Sequence, residues 1–196
     1  MCYFGVVIWK KEEKCLSLHR LKAKVMMKKI LFSAVMAMFL TLTVNAQEAG
    51  AAKKVYNEDI DPIEQIDQAV VRAKSDNKFV ICQVGGNWCP WCLRFADFIT
   101  KDTTINNMID KNFVYIHVNY IPRRSEGIQA ERAKKVQERL NYPARFGFPV
   151  FVVLDEDGKV IHIQDSGFLE EGQGYNQEKV LSFFKNWTPK AVKPVI

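Results

Sequence analysis

Three features of the 196-residue sequence predict an α/β fold with a central mixed β-sheet flanked by helices. Two apolar, β-prone runs, Phe79 to Val84 and Phe113 to Tyr120, are separated by a helical pattern, and strand, helix, strand implies a parallel crossover unit. Val150 to Leu154 and Lys159 to Gln164 flank Asp155-Glu156-Asp157-Gly158, which reads as a hairpin and therefore as antiparallel pairing. The composition, 48% hydrophobic and 26% charged, is globular and excludes disordered or collagen-like chains.

The N-terminal part reads as a targeting element. Lys28 and Lys29 precede the apolar run Ile30 to Val44, and Val44-Asn45-Ala46 places small residues ahead of Gln47. A cationic start, a short apolar stretch and such a site make a secretory signal peptide, since about 15 apolar residues fall short of the roughly 20 that span a bilayer. Cleavage is expected after Ala46, with no membrane insertion afterwards. Met27 heads a complete leader, so residues 1–26 are expected to be an over-extended start, 27–46 the signal peptide, and 47–57 an Ala/Gly/Lys-rich linker. One domain, 58–188, and a tail, 189–196, complete the expected organisation.

Charge follows the same division. Residues 1–46 hold eight basic and two acidic residues, whereas 47–196 hold twenty of each, so the formal charge of +6 belongs to the leader. No nucleic-acid partner is expected of the balanced remainder.

Within the domain, Asp61-Pro62 supplies an N-cap and a first-turn proline, and Ile63, Ile66, Val70 and Ala73 recur at helical spacing to about Asn77. Phe79 to Val84 lacks alternation and ends at Gly85-Gly86, as suits a central strand covered on both faces. From Cys89 onward, Leu93, Ala96 and Ile99 align along a helix widened by Phe95 and Phe98. Ile105, Met108 and Ile109 suggest a further short helix before the second buried strand, Phe113 to Tyr120. Ala130, Ala133, Val136, Gln137 and Leu140 form a weakly amphipathic helix whose Arg132, Lys134, Lys135 and Arg139 read as a solvated face. Val180, Leu181, Phe183, Phe184 and Trp187 form the apolar side of a last helix, which Pro189 is expected to stop.

The chemistry-bearing stretch is Gly85-Gly86-Asn87-Trp88-Cys89-Pro90-Trp91-Cys92. Cysteines at i and i+3 at a helix start share one face and can bridge with little backbone movement. Unpaired N–H groups and the positive end of the helix dipole favour a thiolate at Cys89 and lower its pKa, and the thiolate is the attacking species. A structural zinc site wants four ligands, for which the chain after Ala46 adds only Cys82, His117 and His162. Covalent haem attachment needs His after the second Cys, where Leu93 stands. Two buried structural cysteines remain an alternative, although Gly85-Gly86, Trp88 and Pro90 are costly choices for core filling. Cys82, alternating with Val80 and Val84, reads as a packed core thiol.

The strand FVICQV, the motif Trp88-Cys89-Pro90-Trp91-Cys92, the strand YIHVN and Gly147-Phe148-Pro149-Val150, in this order, resemble the thioredoxin-like superfamily and its short secreted bacterial members. The resemblance spans about 60 to 187. It implies a thioredoxin-like fold with a short helical insertion before the cis-proline strand. It implies catalytic Cys89 and Cys92, with Trp88, Phe148 and Pro149 contacting substrate, Pro149 being the family's cis-proline; Trp91 has no counterpart in the family and is read separately as part of a hydrophobic contact surface for substrate. The buried acid that many thioredoxins keep falls on Gln83 here, and the Lys opposite it on His117, so these two are the candidates for tuning the pair's pKa. The implied activity is thiol-disulfide exchange, reducing or isomerising protein disulfides in the periplasm, with no cofactor and no metal. Implied partners are proteins bearing disulfides or thiols and a redox partner that supplies or removes electrons. A redox-inactive or metal-binding module of the same fold is the alternative.

Overall fold

The computed structural model describes residues 54–121 and 126–193. The expected signal peptide, start at Met27 and cleavage point, together with Cys2, Cys15 and most of the expected linker, lie outside the described residues. The first helix, α1 (Pro62–Asp76), begins where Asp61 accepts from the Ile63 and Glu64 amides, and ends at Asn77, whose left-handed φ of 55° closes the last turn. Then come β1 (Phe79–Gly85), α2 (Pro90–Lys101), α3 (Thr103–Asn112) and β2 (Phe113–Asn119). After α4 (Ile128–Arg139) follow β3 (Val150–Leu154), β4 (Val160–Asp165), the two-residue strands β5 (Glu170–Glu171) and β6 (Gly174–Tyr175), α5 (Gln177–Asn186) and α6 (Pro189–Val192).

The main sheet has the order β2-β1-β3-β4, with β1 parallel to β2 and antiparallel to β3, and β3 antiparallel to β4. This is the mixed sheet that the sequence predicts. Every residue of β1 and β3 is buried, because helices cover both faces of the two central strands. Period-two alternation divides the core. Val80, Cys82 and Val84 pack with Ile66, Ala69 and Ala73 of α1 and Val136 of α4. On the other face Phe79 and Ile81 pack with Phe95 and Ile99 of α2, Ile105 and Ile109 of α3, and Val180, Phe183 and Phe184 of α5. Burying each such aliphatic or aromatic side chain contributes about 1.5–3 kcal/mol.

Some expectations change. The second strand is an edge strand and is only half buried: Phe113, Ile116 and Val118 face the cores, whereas Val114, Tyr115, His117 and Asn119 are partly exposed. Pro189 does not end the last helix, which stops at Asn186; it opens α6, where a missing amide is harmless. The hairpin β5/β6 and short 3-10 turns at Pro143–Phe146 and Ser166–Leu169 carry no sequence periodicity long enough to read. Tyr56, which falls within the expected linker 47–57, is 1% exposed and belongs to the folded core. The basic side chains of α4 are matched by acids: Lys134 with Glu138, Lys135 with Glu131, Arg132 with Asp61 and Arg139 with Asp67. Among the described residues no helix is long and apolar enough to cross a membrane.

Candidate active site

The chain leaves β1 at Gly85 and turns through Gly86-Asn87-Trp88 into α2, so the cysteines stand at the C-terminal edge of the central strand. Cys89 is the N-cap of α2. Its sulfur accepts the Cys92 amide at 3.2 Å, so an unpaired donor of the helix N-terminus points at it. Pro90 occupies the first helical position, where no amide is needed. Cys89 and Cys92 form a disulfide with a Cα separation of 5.2 Å, and they are 4% and 0% exposed. The pair is thus one-sided: attack from outside can come only at Cys89.

Substrate-facing candidates collect around it. Trp88 is 46% exposed, donates through its indole Nε1 to the Tyr120 carbonyl at 2.9 Å, and meets Phe148 edge-on at 5.4 Å. Phe148 stacks on Tyr120 at 5.1 Å and packs, half-buried, against Cys89, Cys92 and Tyr56. The Phe148–Pro149 peptide bond is cis, and Pro149 is buried. Trp91 is half-buried, with Tyr175 against its edge at 5.7 Å and the Arg94 guanidinium over its ring at 4.6 Å. Trp88, more than Trp91, presents open aromatic surface beside Cys89.

Behind the sulfurs lies a polar pocket. Gln83 faces α2 because it alternates with the core residues Cys82 and Val84, and it is fully buried. Its Nε2 donates to the Tyr56 hydroxyl at 2.6 Å and to the Cys92 carbonyl at 3.0 Å, while its Oε1 accepts from the Tyr115 hydroxyl at 2.6 Å. Every polar atom of this buried amide is therefore engaged. His117 pairs with Gln83 across the parallel β1/β2 register, and its ring stands edge-on to Tyr56 at 5.3 Å and to Tyr115 at 5.4 Å. Burial lowers the His117 pKa to about 4, so the imidazole is neutral at neutral pH. It meets the pair indirectly, through the Tyr56 ring and through Tyr115 and Gln83.

Neutral burial has a consequence for stability. The unfolded imidazole titrates near 6.5 and the folded one near 4, so the unfolded state binds more protons between these values. Stability is therefore lost as pH falls from about 6.5 to about 4, by roughly 3 kcal/mol, with no further loss from this group below. His117→Leu should flatten that limb when urea unfolding is followed at pH values spanning the window. An unchanged acid limb would place the loss elsewhere.

Sequence reasoning missed Tyr56, Asn87, Tyr115 and Tyr175. Asn87 clamps the incoming chain: its Oδ1 accepts from the Val55 and Tyr56 amides at 3.0 and 3.1 Å, and its Nδ2 donates to the Tyr56 carbonyl at 2.8 Å. The isolated Val55-Tyr56 pair in an otherwise small and charged segment was the available signal. The Tyr175 hydroxyl donates to the Trp91 carbonyl at 3.2 Å from a strand too short to read. Cys82 is buried among the α1-side core, and desolvation pushes its thiol pKa up to about 12, so it is an inert core thiol. Among the described residues no three His, Cys, Asp or Glu side chains are grouped to hold a metal.

A family model described as a thioredoxin-like domain matches residues 66–173. Among solved structures, a disulphide isomerase from Xylella fastidiosa Temecula1 is similar at 23% identity and a TM-score of 0.57, over 69% of this chain and 98% of that one. An oxidoreductase named DsbH is similar at 23% identity and a TM-score of 0.45, over 71% and 88%. A thioredoxin from Thermus thermophilus is similar at 16% identity and a TM-score of 0.45, over 64% and 85%. No curated protein matches the chain.

Proposed function

This chain belongs to the thioredoxin-like domain family, and on that premise we propose that it is a thiol-disulfide oxidoreductase that reduces or isomerises protein disulfides in the periplasm. The observation that carries the proposal is the Cys89 sulfur capping α2, bridged to a fully buried Cys92 and flanked by open aromatic surface. In the reducing direction the Cys89 thiolate attacks a substrate disulfide, forming a mixed disulfide and releasing one substrate thiol. The Cys92 thiol then gives up its proton and attacks the Cys89 sulfur. The Cys89–Cys92 bond forms, the substrate sulfur leaves with the electron pair and takes up a proton, and two electrons have passed to the substrate. A redox partner returns the pair to the dithiol; isomerisation uses the first attack and its reversal.

Strong oxidants in this chemistry owe their potential to an unusually stabilised reduced form. Pro90 and Trp91, between the cysteines, bring no ionisable group to the thiolate, which favours reduction or isomerisation. Trp88, Phe148 and Pro149 are assigned to an extended substrate segment, and Trp91 to the rim of the same surface. Gln83 and the neutral His117 are assigned to setting the polarity behind Cys92 without contributing charge. The leader read from Lys28 to Ala46 supports export, with the folded unit beginning near Val55.

Turnover of insulin disulfides by the full chain with dithiothreitol tests this reading. Acceleration above dithiothreitol alone supports it, whereas no acceleration from a folded, fully reduced protein refutes it in favour of a binding module.

A further inference from the structure

The hydrogen bonds around Gln83 have a direction. The Cys92 carbonyl can only accept, so the amide nitrogen of Gln83 must lie at that end of the side chain, and the same nitrogen donates to the Tyr56 oxygen. The Tyr115 hydroxyl supplies the amide oxygen from the other end. The Tyr56 oxygen is therefore an acceptor toward Gln83, and its own proton is left to point elsewhere. The nearest reactive group is sulfur: Tyr56 packs in one cluster with Cys89 and Cys92, and a methyl carbon placed on Gly85 would sit 2.5 Å from the Cys92 Sγ and 2.9 Å from the Tyr56 hydroxyl, so the two groups border the same point although no hydrogen bond joins them in the disulfide form. Tyr56 is 1% exposed, and the Asn87 clamp fixes its backbone on both sides.

We propose that the Tyr56 hydroxyl donates a hydrogen bond to the Cys92 sulfur in the reduced protein and in the mixed disulfide, and so controls the resolving step. This rests on the dithiol chemistry proposed above. A thiolate is a far stronger acceptor than a bridged sulfur, and a charge-assisted bond from a buried donor stabilises it most. Tyr56 keeps its proton throughout, since burial raises its pKa above the ordinary tyrosine value. It does not remove the Cys92 proton; it lowers the free energy of the thiolate that attacks Cys89, or that leaves when a substrate thiolate attacks Cys89 in the opposite direction. The other titratable groups near this pocket are Cys89 at the cap of α2, Cys82 on β1, Tyr115 and His117 on β2, Tyr175 on β6, and the exposed Glu58, which accepts from the far side of the Asn87 clamp. None of the tyrosine and histidine side chains from the strands is charged at neutral pH, so the α2 N-terminus and hydrogen bonding supply the stabilisation of the Cys92 thiolate.

The test separates the two chemical steps. Reduced protein is mixed with glutathione disulfide, quenched with acid at intervals over about pH 5 to 9, and weighed by mass spectrometry. In Tyr56→Phe, the glutathione adduct at Cys89 should form at about the parent rate but decay about 3- to 4-fold more slowly, because raising the resolving thiol by about one pKa unit costs about 10-fold in thiolate and returns about 3-fold in nucleophilicity. The midpoint of the pH profile for decay should move upward. Tyr115→Phe, which breaks the far end of the chain and spares Tyr56, should shift the same profile in the same direction by less, and it carries the test should Tyr56→Phe not fold. Decay rates and pH profiles equal to the parent's in the folded variants would overturn the proposal. Absence of any adduct in Cys92→Ser would overturn the dithiol chemistry itself, and this inference with it.

Discussion

Cys89→Ser is expected to reduce insulin no faster than dithiothreitol alone, and Cys92→Ser, reduced and then freed of dithiothreitol, to halt after half a cycle with substrate covalently held. The two sulfurs are not equivalent. Cys89 caps the helix, accepts an amide at 3.2 Å and is the residue of the pair that is not wholly buried, so it is the one placed to meet an external disulfide. A serine hydroxyl does not ionise at working pH, and the attack is lost outright. Cys92 is completely buried, so its removal leaves the first attack intact and removes only the internal nucleophile. Mixed disulfide should therefore accumulate on Cys92→Ser and be released by added thiol. Adduct on Cys92 in Cys89→Ser, at a rate matching the parent, would reverse the assignment.

The second large effect is at Gly85. An alanine there would place its Cβ 2.5 Å from the Cys92 sulfur and 2.9 Å from the Tyr56 hydroxyl, both well inside van der Waals contact. Neither neighbour is a free side-chain end. Cys92 is held in α2 and Tyr56 by Gln83 and the Asn87 clamp, so backbone must move. Overpacking of this kind costs about 1–3 kcal/mol, and Gly85→Ala should lose that much stability in urea titrations of both oxidised and reduced protein. It should also slow resolution of the mixed disulfide, because Tyr56 and Cys92 are pushed apart. A loss below about 0.5 kcal/mol, the range of ordinary surface substitutions, would show that the strand end has room.

Much of this arrangement is legible in the sequence, and the residues that are not have identifiable reasons. β1 and β3 read as buried strands because coverage on both faces demands unbroken apolar runs, and Phe79–Gly85 and Val150–Leu154 are such runs. β2 read as equally buried because Val114, Tyr115 and Val118 are apolar; its place at the sheet edge comes from topology, which leaves His117 half-covered. The spacing of Cys89 and Cys92 announces the pair, and Pro90 announces the helix that carries it. Tyr56 was lost in the linker because what fixes it is distant: Asn87, 31 residues along the chain, and Gln83, 27 residues along. Hydrogen bonds of that span leave no local periodicity. The two-residue strand β6 is likewise held by contacts of Tyr175 with Trp91 and Phe95 of α2, and β5 by pairing with β6, rather than by any pattern of their own.

In place of a buried carboxylate behind the resolving cysteine stands an amide, Gln83, engaged with two tyrosines. A carboxylate can take a proton; a glutamine can only arrange hydrogen bonds. Gln83 therefore cannot serve as the base for Cys92, and on the proposal above the Tyr56 hydroxyl, oriented by that amide, is what stabilises the Cys92 thiolate. The neutral His117 beside Tyr56 adds no competing charge.

The reduction potential of the Cys89–Cys92 couple, obtained by equilibrating the full chain in graded thiol-disulfide buffers and counting free thiols, tests the central claim most directly. A reductant or isomerase requires a reversible two-electron couple between about −180 and −270 mV, the range of disulfide isomerase to thioredoxin. A couple near about −120 mV, the potential of a strong oxidant, or a pair that does not cycle reversibly at all, would contradict it.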